Sequence, residues 1–157
     1  MAFEGNLGRI GFLTLSTLDD ARRSSITGTT QNGPNGSAQF FWVYMSTVNA
    51  LQVRLGSSLI TPSTLTPVLG ILQNTPGPGQ AADIAFIGVS KALAGSTTIT
   101  FGALIQPSSA PVGQSGQVVL YATGNGPPIG FSLETPTSTG QVISVALFGF
   151  AHGGFST

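Results

Sequence analysis

The chain has 157 residues, no cysteine and ten charged residues, five of each sign. This length suits one domain with a sizeable core, while the missing cysteines exclude disulfides and thiolate metal sites. Without a basic patch, no nucleic-acid partner is expected. Charged residues form 6% of the chain, far below the roughly 25% of an ordinary soluble domain. Either partners cover much of the surface or uncharged polar side chains form it, and both interpretations stay open.

Residues 1–37 differ from the rest because they contain six of the ten charges. A short strand is expected over Ile10–Leu15, and residues 25–37 have the composition of a loop. We interpret 1–37 as an extended N-terminal arm that orders against a neighbour, with a floppy terminus as the alternative. No signal peptide is expected, because no continuous apolar stretch precedes a small-residue cleavage site. Nor is a membrane span, because no apolar run reaches about 18 residues.

Residues 40–45 are the most aromatic part of the chain, FFWVYM, and their composition predicts a strand. Alternation places Phe41, Val43 and Met45 on one face and the other three residues on the opposite face. Both faces are apolar, which predicts a central strand or a strand with one face against another subunit. A half-solvated strand is expected over Asn49–Leu55, where apolar and polar residues alternate.

The stretch from 68 to 95 predicts a strand, a tight reversal and a second strand. The apolar run Val68–Leu72 is followed by Pro76, Pro78 and neighbouring glycines, which favour a turn. The alternating run over 81–89 predicts the next strand, and 91–95 is expected to form a short turn. Lys91 is expected to cap this turn or to pair with an acid across an interface.

Further strands are expected over 99–106, 117–123, 129–134 and 141–150, separated by Gly- and Pro-rich turns. This spacing is typical of an all-β fold, a small β-barrel or sandwich of short antiparallel strands. We expect an arm at 1–37, a β domain at 38–150 and a flexible C-terminal tail at 151–157. No internal repeat is evident in the sequence.

The residues that carry catalytic chemistry are sparse, so no enzymatic activity, metal or cofactor is expected. His152, the only histidine, lies in a Gly-rich tail that cannot hold a catalytic base in place. Asp83 and Glu134 are the two carboxylates of the β region, and each is interpreted as a solvated residue beside a turn. Residues 77–82 match a nucleotide-binding fingerprint by letter, but a strand and not a helix is expected to follow.

Four segments together carry a resemblance. They are LGILQNTPGPGQAADIAFIGVSKALAG at 69–95, TFGALI at 100–105, PIGFSLE at 128–134 and TGQVISVAL at 139–147. In order and spacing they resemble a family of tailed-bacteriophage capsid decoration (cement) proteins, and the resemblance covers roughly residues 39–149. It implies a small β-rich structural protein of the virion. Such a protein is made in the host cytoplasm and binds the outer surface of the phage head, often as a homotrimer.

The resemblance implies two partners, the major capsid protein and further copies of the chain itself. We expect contacts with the capsid or between subunits at eight residues of the arm, the aromatic strand and two loops: Phe3, Leu7, Ile10, Phe12, Trp42, Tyr44, Pro78 and Ser109. The alternative function is a virion-surface carbohydrate-binding or fibre-like module. Exposure of Trp42 or Tyr44 beside a polar loop would favour it, because aromatic faces stack on sugars.

Overall fold

The computed structural model describes residues 9–13, 39–45, 53–55, 68–75, 81–108, 116–123 and 127–149. Within these ranges the chain forms strands and no helix. The ten strands are β1 Arg9–Leu13, β2 Trp42–Met45, β3 Val53–Leu55, β4 Val68–Leu72, β5 Ala81–Ala85, β6 Ile87–Leu93, β7 Leu104–Pro107, β8 Val118–Leu120, β9 Gly130–Ser132 and β10 Val142–Phe148.

The strands form two antiparallel sheets, which confirms the expected all-β class. The first sheet has the order β1-β5-β4-β2-β3 and the second has the order β6-β10-β9-β7-β8. One isolated parallel bridge, between Ala94 and Val118, joins the two edges of the second sheet at one end. A single bridge does not close a sheet, so the architecture is sandwich-like and not a barrel.

Both sheets have the same strand order. In each half of the chain the first strand pairs with the fifth, the fifth with the fourth, the fourth with the second and the second with the third. The chain passes from one half to the other at Phe86, between β5 and β6. No repeat is evident in the sequence, because the two halves share the topology of their strands and not their residues.

A glycine occupies the fourth strand of each half, at a point of close approach to the fifth strand. A Cβ atom on Gly70 of β4 would overlap the carbonyl oxygen of Ala85, and a Cβ atom on Gly130 of β9 would overlap the carbonyl oxygen of Ala146. Only glycine fits where another backbone comes this near. The two halves therefore share a packing detail as well as a strand order.

The main core lies between the two sheets. From the first sheet, Trp42, Ile71 and Ala85 form one cross-strand row, and all three are buried in this core. The second sheet contributes the inner residues of its strands, including Ile143 and Val145 of β10. Each fully buried aliphatic side chain stabilises the fold by about 1.5–3 kcal/mol, so this layer supplies much of the cohesion between the halves.

The first sheet is also buried on its other face. Val43, Leu72, Ala82 and Ile84 belong to a second buried cluster, against which Val142 of the second half packs. Strand β2 therefore has one face in each cluster, as its alternation predicted. It lies between β4 and β3, so the expectation of a central strand is confirmed.

Three expected elements differ from the structure. The strand expected over 81–89 is split at Phe86, because the chain changes sheets there. The turn expected at 91–95 is wrong at its start, since Lys91–Leu93 completes β6. In the N-terminal arm, residues 9–13 form β1, which pairs with β5 along its whole length. At these five residues the backbone belongs to the first sheet, where it covers the edge of β5.

Candidate interaction surface

The outer face of the second sheet carries exposed apolar side chains. Along β10, Ile143, Val145 and Leu147 are buried, while the alternate positions are more exposed. Alternation is the rule for a strand with one face on a core. What is unusual is that the outward positions near the end of β10, Ala146 and Phe148, are also apolar.

The exposed positions line up across four neighbouring strands. Val89 of β6 pairs with Ala146 of β10, Ala146 with Phe131 of β9, and Phe131 with Leu104 of β7. In the next row Phe148 pairs with Ile87. We call these six residues the outer apolar patch: Ile87, Val89, Leu104, Phe131, Ala146 and Phe148.

Several side chains of this patch are well exposed. Val89 is 75% exposed, Phe148 48% and Phe131 40%. The rings of Phe131 and Phe148 meet edge to face with centroids 4.6 Å apart, an arrangement that is favourable for aromatic pairs. Apolar side chains scattered singly are normal on a surface, whereas the largest contiguous apolar patch of a protein is often functional. The patch is therefore the strongest candidate site in the described part of the chain.

A polar group of three residues lies beside the patch: Lys91 of β6, Ser144 of β10 and Glu134, which follows β9. The Lys91 ammonium donates a hydrogen bond of 2.7 Å to the Ser144 hydroxyl, and that hydroxyl donates one of 2.6 Å to a Glu134 carboxylate oxygen. Lys91 and Glu134 also form an ion pair of 3.7 Å. Lys91 was expected to cap a turn or to pair across an interface, but its acid partner lies in the same chain.

The electrostatics of this trio favour an ionised carboxylate. The hydrogen bond from Ser144 is the largest effect and lowers the pKa of Glu134. Desolvation opposes it by a smaller amount, and the positive charge of Lys91 lowers the pKa further. Both charged side chains remain about half exposed, at 50% and 41%. The trio therefore places one charge of each sign beside the patch, with the geometry of a structural ion pair.

One residue expected at an interface lies inside the molecule, and its neighbour on the strand is half-buried. Trp42 is 2% exposed and belongs to the core between the sheets, and Tyr44 is half-buried with its ring 6.2 Å from the Trp42 ring. The assignment of Trp42 to a surface contact is wrong, because this face of β2 packs against the second sheet. Trp42 is one of the two aromatic residues whose exposure would favour a sugar-binding surface, and its burial disfavours that surface.

The other expected contact residues lie mostly outside the described ranges. This holds for Phe3, Leu7, Pro78 and Ser109, and for the histidine at 152. Ile10 and Phe12 lie in β1, opposite Ile84 and Ala82 of β5. None of the expected contact residues belongs to the outer apolar patch.

The two carboxylates of the β region do not come together. Asp83 lies in β5 of the first sheet, whereas Glu134 follows β9 of the second. Residue 81 begins a strand, so the glycine-rich segment before it does not lead into the helix that a nucleotide-binding fingerprint requires. In the described ranges, no cluster of acidic or histidine side chains suits a metal ion. The same ranges contain no helix able to cross a membrane.

The patch has no signal in the local sequence. A strand is expected over 141–150, but the pattern does not distinguish its two faces, because inner and outer positions near its end are both apolar. The signal is the pairing of strands distant in sequence. Val89 and Phe131 are 42 positions apart in the chain, and only the register through β10 brings them into one row.

Comparisons of the chain with protein-family models, with curated proteins and with solved structures found no match.

Proposed function

We propose that this chain is a capsid decoration protein, a structural protein that binds the outer surface of a tailed-bacteriophage head. The observation that carries the proposal is the outer apolar patch on a chain with only ten charged residues. Such a surface is suited to contact between proteins, and a decoration protein needs contacts both with capsid subunits and between its own copies. The kind of assembly comes from the resemblance of residues 39–149 to the decoration-protein family.

The proposed mechanism is mechanical and requires no catalytic residue or cofactor. Each copy contacts neighbouring major capsid subunits over an interface of the order of 800 Å² per partner. Copies joined in an oligomer, for which the resemblance favours a homotrimer, gain from the effective concentration of their linked contacts. These contacts must break before the shell opens, so the shell becomes kinetically more stable.

A truncation that tests the arm has to leave residues 9–13, because they form β1 of the first sheet. Deleting residues 2–15 would remove β1 and expose the edge of β5, so loss of binding would be confounded with loss of stability. Removing residues 2–8 takes away Phe3 and Leu7 and leaves β1 in place. If the arm contacts the capsid, this shorter truncation weakens head binding while its thermal unfolding stays close to that of the full chain. Unchanged occupancy on heads would remove the arm from the proposal.

The direct test of function is a quantitative protein analysis of purified virions from the phage that encodes this chain. A decoration protein is present in hundreds of copies per particle, in a fixed ratio to the major capsid protein. Heads that lack it then lose their DNA at a lower temperature than complete heads. Absence from purified virions, or a handful of copies per particle, would contradict the proposal.

A further inference from the structure

We infer that copies of this chain meet through the outer apolar patch, so that the occupant of the patch is the second sheet of another copy. The inference rests on the proposed function, since a decoration protein that acts as an oligomer needs a face at which its copies meet. It adds the location of that face, which lies on β6, β7, β9 and β10.

The shape of the patch suits packing of one sheet on another. Its main row crosses four adjacent strands, a span of about 14 Å at the usual spacing between strands. Sheets pack face to face about 10 Å apart when both faces are apolar. Val89 and Phe131 stand along this row and Phe148 contacts Phe131, so a second sheet finds a continuous surface there.

Electrostatics favour an identical copy as the occupant. The chain has five residues of each sign and no net charge, so two copies approach without long-range repulsion, a condition that promotes self-association. None of the six patch residues is charged. The trio on the same face presents one positive and one negative group, Lys91 and Glu134, and a surface with both signs is able to match itself across a two-fold axis. Contact of the patch with itself gives a dimer, where the resemblance implies a homotrimer.

The area of the patch suits the centre of an oligomer interface. Its exposed fractions amount to roughly 400 Å², taking 150–250 Å² for a large apolar side chain. A stable interface buries about 800 Å² on each partner, with an apolar centre and a polar rim. The patch supplies such a centre, and the Lys91–Ser144–Glu134 trio supplies part of the rim.

The first half of the chain provides an internal precedent. It has the same strand order as the second half, and its outer-face residues Val43, Leu72 and Ile84 are fully buried. The first sheet, which has the same strand order, therefore has an apolar outer face that is buried. Among the described residues the outer face of the second sheet stays exposed, and the inference assigns its cover to a second copy.

The experiment is sedimentation velocity of the full chain between about 1 and 100 µM. The test variant is Val89→Asp, which places a charge in the main row and lowers the association constant at least about tenfold. Val89→Thr keeps the branched shape and has a smaller effect in the same direction. The matched control is Thr139→Asp, which adds the same charge at an exposed turn before β10 and leaves association unchanged. Circular dichroism verifies that each variant is folded.

The inference predicts that the wild-type chain sediments as a homo-oligomer and that the Asp variant shifts towards the monomer. A wild-type chain that stays monomeric over this range would overturn it, as would a Val89→Asp variant that associates like the wild type. Head binding separates this result from the proposed function. A monomer that binds heads through Val89 would overturn the inference and leave the proposed function standing. An oligomer that is absent from virions would contradict the proposed function and leave the contact between copies standing.

Discussion

The two halves of the chain have one strand order and two different outer faces. In the first half both faces of the sheet are buried, with Trp42 and Ile71 in one cluster and Val43 and Ile84 in the other. In the second half the inner face is buried, while Val89, Phe131 and Phe148 are exposed on the outer face. Topology thus fixes which strands are neighbours, but the placement of apolar side chains decides which face is core and which is available to a partner.

The largest expected effect concerns Gly70 and Gly130, the glycines at which a neighbouring strand approaches closely in each half. Gly70→Ala and Gly130→Ala each place a Cβ atom against a carbonyl oxygen of the adjacent fifth strand. We expect each to lower the free energy of unfolding by about 3–5 kcal/mol, measured by chemical denaturation. Gly140→Ala is the control, because open space surrounds that position and only its φ of +82° is unfavourable, at about 1–2 kcal/mol. Equal costs at all three positions would refute the shared packing.

The next prediction compares the two outer faces directly. Ile84 is fully buried on the first sheet, whereas Val89 is 75% exposed on the second. We expect Ile84→Ala to cost about 2–5 kcal/mol and Val89→Ala to change the stability of the monomer by no more than about 0.5 kcal/mol. Thermal unfolding at low concentration, with association suppressed, makes the comparison. Similar losses at both positions would show that the outer faces do not differ.

A smaller effect is expected at the boundary between the halves. Among the described residues, the buried indole nitrogen of Trp42 has no hydrogen-bond acceptor. Trp42→Phe reduces volume in the core, which destabilises, but it also removes the unsatisfied donor, which offsets part of that loss. We expect a net change within about 1.5 kcal/mol, against about 3–5 kcal/mol for Trp42→Ala. If the Trp42→Phe and Trp42→Ala variants lose the same free energy of unfolding in denaturant, the indole N–H makes a stabilising hydrogen bond, and this prediction is contradicted.

The smallest effect concerns the charged trio beside the patch. The pKa of Glu134 is lowered in the folded chain, first by the Ser144 hydrogen bond and then by Lys91. Its stabilising contribution is therefore complete above the ordinary titration range of a carboxyl group, and it is lost as the pH falls through the lowered folded pKa. We expect Glu134→Gln to lose less than about 1 kcal/mol at neutral pH and to equal the wild type in acid. A Glu134→Gln variant that loses more stability relative to the wild type in acid than at neutral pH would contradict this prediction.

Much of the fold follows from local sequence. Density of aromatic and branched residues over 40–45 predicts β2 and its two apolar faces, and Gly and Pro at 76–79 predict the reversal that pairs β4 with β5. These signals are local because alternation and turn chemistry act over a few residues. The positions of the glycines Gly70 and Gly130 in two equivalent strands have no such signal, since the reason for them is a carbonyl group elsewhere in the sheet.

The candidate site was less predictable than the fold. Trp42 was expected at a contact because it is aromatic, yet the same property makes it core when the second sheet packs over it. The patch was missed because Val89, Ala146 and Phe131 become neighbours only through long-range pairing. Composition left open whether partners or uncharged polar side chains cover the surface, and strand register was required to locate the apolar patch on the second sheet.

The central proposal is that this chain binds a phage shell through contacts that depend little on charge, because only ten of its residues are charged. Its binding to shells in low and high salt tests this most directly. Heads lacking the protein are mixed with the purified chain at about 50 and 500 mM salt and sedimented, and bound copies are counted. Contacts between uncharged surfaces are little affected by screening, so the account predicts hundreds of copies per head at both concentrations. No binding to heads, or release of most copies by the higher salt, would contradict it.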